Sequence, residues 1–104
     1  MKVDFSDEAI IILEEIHENL RVFRDLKFAD GVVDKIFDKT QLLVEFPEMG
    51  TIEQSKAYKA LKVRYLIEGF YKIFYQIDAN RGIIEVISVF DTRQNPSKML
   101  SKEE

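Results

Sequence analysis

Lys62, Arg64 and Lys72 are the side chains whose type and spacing best suggest chemistry. Residues two apart on a strand share a face, so Lys62 and Arg64 would stand together. Lys72 joins them if the register of the following strand places its side chain there. Clustered cations stabilise a charged phosphorane, so such a face suits cutting RNA through its 2′-hydroxyl. That reaction also needs one group to take a proton and another to protonate the leaving oxygen. No proton-transfer residue is evident beside the cations. Tyr65, Tyr71 and Tyr75 alternate with them and should face the other way, towards the helices. His17, the one histidine, falls on a predicted helix with nothing near it to complete a metal set. The chain has no Gly-rich phosphate loop and no nucleophile–base signature.

Leu66 and Phe74 are expected among those basic residues, which makes a mixed apolar and cationic surface. Such a surface suits an acidic amphipathic or extended segment of a partner protein, with apolar anchors and a charged rim. The plainer alternative is that a later helix covers Leu66 and Phe74. The segment Asp91-Thr92-Arg93-Gln94-Asn95-Pro96 reads equally well as a target-binding loop and as a turn, since Asp91 and Asn95 are turn formers. Ile10, Ile11 and Ile12 exceed what one helix face can bury, so Ile10 or Ile11 is expected to be exposed, packed on the second helix or covered by a partner.

The elements that would position these residues follow from periodicity. Lys2-Val3-Asp4-Phe5 alternates as a short strand, and Ser6 is a suitable N-cap for the helix after it, with Asp7 and Glu8 in its first turn. Ala9, Ile12, Leu13, Ile16, Leu20 and Phe23 recur at helical spacing. A second helix is expected from about Phe28, with Val32, Val33, Ile36, Phe37, Leu43 and Val44 inward, ending at Phe46-Pro47-Glu48-Met49-Gly50. The two should form an antiparallel pair. Residues 51–59 read as a loop with room for a helical turn. From Leu61 onward the pattern is a three-stranded meander, turning at Glu68-Gly69 and at Asp78-Ala79-Asn80-Arg81-Gly82. The nearly continuous apolar run Ile83–Phe90 suits a central strand covered on both faces. The expected fold is therefore α+β in the order β-α-α-β-β-β: a short first strand and a helical hairpin packed on a mostly antiparallel sheet. The polar stretch 97–104 is expected to fray or form a short helix.

The chain of 104 residues suits a single domain with one core, and 46% hydrophobic residues fit a globular protein. With no cysteine there is no disulfide framework, and with no long apolar run there is no membrane span, so a soluble cytoplasmic protein without cofactors is expected. The net charge of −4 is uneven: residues 1–50 carry 12 acids against 6 bases, residues 51–104 7 acids against 9 bases. That balance argues against non-specific nucleic-acid binding while leaving room for a small cationic site.

Tyr71-Lys72-Ile73-Phe74-Tyr75-Gln76-Ile77-Asp78, followed by Val89-Phe90-Asp91-Thr92-Arg93-Gln94-Asn95-Pro96, resembles the closing sheet of the RelE/ParE toxin superfamily. Phe5-Ser6-Asp7-Glu8-Ala9 resembles its strand-to-helix entry, and Leu42-Leu43-Val44-Glu45-Phe46-Pro47-Glu48-Met49-Gly50 its second-helix exit. The resemblance implies the toxin of a type II toxin–antitoxin pair, neutralised by a cognate antitoxin. In the RelE-like branch the expected target is mRNA on the ribosome, with Lys62, Arg64, Lys72 and Arg93 as candidate cations. In the ParE-like branch it is DNA gyrase, inhibited by binding. The wording of Asp91–Pro96 looks more like the ParE branch, and Ser97, Lys98 and Met99 stand where RelE-like nucleases often carry Tyr or His. A third possibility is an antitoxin-binding module without toxicity. The mixed sheet face and the exit segment make Lys62, Arg64, Leu66, Lys72, Phe74, Asp91 and Arg93 the expected partner-binding residues, and DNA is expected to be reached only through the antitoxin complex.

Overall fold

Alternating and helical apolar patterns build the expected α+β architecture in a computed structural model that describes residues 1–94. The elements are β1 (Lys2–Phe5), α1 (Asp7–Phe23), α2 (Leu26–Gln41), a 3-10 turn (Leu42–Val44), β2 (Thr51–Ile52), α3 (Lys56–Ala60), β3 (Arg64–Glu68), β4 (Tyr71–Asp78) and β5 (Ile83–Asp91). They form a five-stranded sheet in the order β1-β5-β4-β3-β2. Only β1 with β5 is parallel. The expectation for 97–104, and the residues Asn95 and Pro96 of the exit segment, lie outside the described residues.

Ser6 ties helix to sheet. Its hydroxyl accepts from the Ala9 N–H at 3.1 Å and donates to the Ile87 carbonyl at 3.1 Å. The first bond satisfies a helix-end donor; the second aims α1 along β5. Asp25 caps α2 through the Phe28 N–H, so that helix begins at Leu26, two residues earlier than its apolar pattern.

The helical hairpin covers one sheet face. Ala9 and Ile36 pack there on Leu66, Tyr71, Ile73, Tyr75, Ile84, Val86 and Val89. Each large aliphatic side chain fully buried there contributes about 1.5–3 kcal/mol. The helix periodicity overstates the inward set. Phe23 is 81% exposed at the end of α1, and Phe37 and Val44 are half-exposed, Phe37 stacking on Phe5. Ile10 and Ile11 are both exposed, and Ile10 lines a shallow surface groove with Leu13 of its own helix and Val33 of α2. His17 bridges the helices, its Nε2 lying 2.7 Å from Asp30 Oδ1.

Two local features depart from the sequence pattern. Residues 51–63 hold β2 and α3, and Leu61, Lys62 and Val63 precede β3 instead of opening it. The first hairpin turn is Gly69-Phe70, between paired Glu68 and Tyr71. Of those two, only Gly69 has positive φ, at 58°, the requirement of a type II′ turn.

Candidate functional site

That two-residue turn decides which side chains can meet. Partners across β3 and β4 are Arg64 with Tyr75, Leu66 with Ile73, Tyr65 with Phe74 and Ile67 with Lys72. Paired residues share a face. Arg64 and Leu66 therefore lie on the helix-covered face, while Lys72, Phe74 and Tyr65 lie on the other. The expected common face of Lys62, Arg64, Lys72, Leu66 and Phe74 is corrected by this register. So is the expectation that Tyr65 faces the helices with Tyr71 and Tyr75. Leu66 and Phe74 are buried, at 6% and 1% exposure, and present no anchor to a partner.

Each expected cation has its own setting. Arg64 Nη1 donates to the Gly50 carbonyl at 2.8 Å and to the Glu48 carbonyl at 3.2 Å. Beside it the Tyr75 hydroxyl donates to the Pro47 carbonyl at 2.8 Å and accepts from the Gly50 N–H at 2.9 Å. Burial pushes the Tyr75 phenol above its ordinary value, so it stays neutral. Together they strap the 47–50 loop to the sheet.

Lys72 is enclosed on the opposite face. Its ammonium lies 2.9 Å from Glu53 Oε1 and 4.1 Å from the centre of the Tyr65 ring. The side chains of this pair are 19% and 9% exposed. Burial works to raise the Glu53 carboxyl, but the Lys72 ammonium and the Ser55 N–H outweigh it and hold the group below its ordinary value. Tyr58 of α3 meets Phe74 edge-on at 5.2 Å, so a helix does cover that aromatic side chain.

Arg93 grips Asp91 through Nε at 3.0 Å and Nη2 at 2.8 Å, and its guanidinium lies 4.5 Å from the centre of the Phe70 ring. This contact holds the Asp91 carboxyl below its ordinary value. The Thr92 N–H and hydroxyl both donate to the Phe70 carbonyl, at 2.7 and 2.6 Å. The segment after β5 is thus clasped to the first hairpin turn. Lys62 stands apart from all of these, exposed on the link between α3 and β3.

Sequence reasoning missed a groove of about 220 Å³ between α1 and β5. Ile12, Glu15, Ile16 and Asn19 form its helical wall, and Ser88 to Asp91 its strand wall. It exists because β1 pairs only as far as Val86, so among the described residues no strand covers the outer edge of β5 beyond that point. The signal was present in the unequal lengths of the two strands, four residues against nine. An unpaired strand edge beside a helix face of mixed apolar and polar character accepts an extended or helical peptide. Among the described residues no group of three His, Cys, Asp or Glu could hold a metal ion, and no helix is long and apolar enough to cross a membrane.

Comparison with known proteins extends the geometry. The family model for the ParE toxin of the type II toxin–antitoxin system parDE matches residues 3–96. No curated protein matches the sequence. A solved structure, the chromosomal ParDE TA system from P. aeruginosa, shares the fold with a TM-score of 0.72 at 17% identity, over 88% of this chain and 95% of that one.

Proposed function

The chain belongs to the ParE toxin family of type II toxin–antitoxin systems, and from that premise we propose that it arrests growth by binding DNA gyrase and is neutralised by a cognate antitoxin. The observation that carries the choice of binding over cutting is the dispersal of the four cations. Arg64 serves backbone carbonyls, Lys72 serves Glu53, Arg93 serves Asp91, and Lys62 stands on a separate loop. A phosphorane needs its charges converging within about 3 Å of one point, and opposite faces of a sheet cannot supply that. The α1–β5 groove supports the antitoxin part of the reading, since it offers a peptide both apolar contacts, at Ile12 and Ile16, and polar ones, at Glu15 and Asn19, beside an open strand edge.

Pulse labelling after inducing this chain alone tests the proposal. Thymidine incorporation is expected to fall before methionine incorporation, and the purified protein to inhibit gyrase supercoiling. An early fall in methionine, with cuts in translated mRNA that vanish in the Arg64→Ala/Lys72→Ala double variant, would replace the proposal with ribosome-dependent cleavage. Complex formation with an antitoxin but no growth arrest would leave only a binding module.

A further inference from the structure

The link from α3 to β3 closes in an unusual way. The Val63 N–H donates to the Tyr58 carbonyl at 2.9 Å, and the Lys62 N–H to the Lys59 carbonyl at 3.0 Å. These two bonds define a Schellman ending, whose left-handed position is usually glycine. Here that position is Lys62, with φ of 58°. A glycine would hold the conformation without the steric penalty that a Cβ brings. Strain kept at one residue is a reason to ask what its side chain does.

Lys62 is the last of three lysines spaced three apart, after Lys56 and Lys59. All three are exposed, while Tyr58 between them turns onto Phe74. Among the described residues none of the three makes an ion pair. The stretch from Gln54 to Ile67 contains no acidic residue, in a chain whose net charge is −4. Leu61, between Lys59 and Lys62, is 57% exposed.

We propose that Lys56, Lys59 and Lys62, with Leu61, form a docking site for a short acidic segment of a partner protein. Charge complementarity selects acid, and the exposed leucine favours a peptide over bare phosphates. Size points the same way. The lysines fall within seven residues, on α3 and the two positions after it, whereas nucleic acid is a long polyanion. On the same sheet face as Lys72 the register also places Asp78, Glu85, Asp4 and Lys2, and Asp4 pairs with Lys2 and Asp78 with Arg81, so the patch of unpaired lysines does not continue there.

The test titrates the labelled full chain with a short glutamate- and leucine-containing peptide, and separately with an oligonucleotide of matched charge, following amide NMR shifts at low and high salt. The peptide is expected to move the amides of residues 56–62, to lose that effect at high salt, and to bind about threefold more weakly for each lysine replaced by glutamine. Lys62→Gly is the decisive variant: it should raise the melting temperature while weakening the peptide. Unchanged binding in Lys62→Gly, shifts confined to other residues, or stronger binding by the oligonucleotide at the same amides would each overturn the proposal. Neither gyrase nor antitoxin enters the readout, so the result stands apart from the supercoiling assay.

Discussion

Gly50 sits so close to Tyr75 that a Cβ added to it would lie 2.6 Å from the tyrosine hydroxyl oxygen and ring edge, and 2.8 Å from the Tyr65 carbonyl oxygen. The absent side chain lets the loop after the second helix lie flat on the sheet, where Tyr75 and Arg64 hold its backbone. Gly50→Ala should therefore cost about 3 kcal/mol, because Tyr75 is fully buried and the Tyr65 backbone belongs to a strand. Urea denaturation of the two proteins measures it directly.

Tyr75→Phe keeps the ring and removes the hydroxyl. It leaves the Gly50 N–H and the Pro47 carbonyl without their partner, at a cost of about 1–3 kcal/mol. The denaturant midpoint should fall with little change in slope.

Lys72→Ala should cost about 2–3 kcal/mol, since it strands the enclosed Glu53 carboxylate. Adding Glu53→Gln should recover part of that loss. A double-mutant cycle is expected to give a coupling of about 1 kcal/mol; a value near zero would mean that the pair is ornamental.

Acid should unfold the protein partly through Glu53 and Asp91. Both carboxyls are held below their ordinary values of 4.5 and 3.8, so the unfolded chain binds protons more readily. Their contribution is complete above those ordinary values and disappears as pH falls through the lower folded ones. Melting temperatures across that acidic range should drop less steeply in Glu53→Gln than in the parent.

Phe23→Ser should change stability by less than about 0.5 kcal/mol, because its ring is 81% exposed. Thermal melts of the two proteins check this, and a larger loss would reveal packing that the fold does not show.

The order of elements was legible because its signals are local. Ser6 announced a cap, Gly69 a hairpin, and Ile83–Phe90 a covered strand, each within a few residues. The site was less legible because faces depend on register. A turn of two residues pairs even positions of β3 with odd positions of β4, so Arg64 and Lys72 fall on opposite sides even though both are even-numbered. Arg64 also looked like a surface charge, since no pattern in 60–70 reveals that two loop carbonyls from 48–50 wait for its guanidinium. Phe23 kept helical spacing while lying beyond the reach of the sheet, an error that periodicity cannot detect at the end of a helix. Family membership was carried by motifs that span most of the chain, and it survived these local errors.

The parallel pairing of β1 with β5 has a consequence for how the chain is made. Among the described strands β1 is made first and pairs only with β5, which is made last, and Ser6 meets Ile87 across 81 positions of sequence. The β3–β5 meander can assemble from neighbours, but β1 must wait until β5 has emerged, and contacts so distant in sequence slow folding. The wall of the α1–β5 groove is anchored by that same late contact. The groove proposed above for an antitoxin is thus completed only once β5 has been made, so on that proposal nascent chains should escape capture there and finished ones should not.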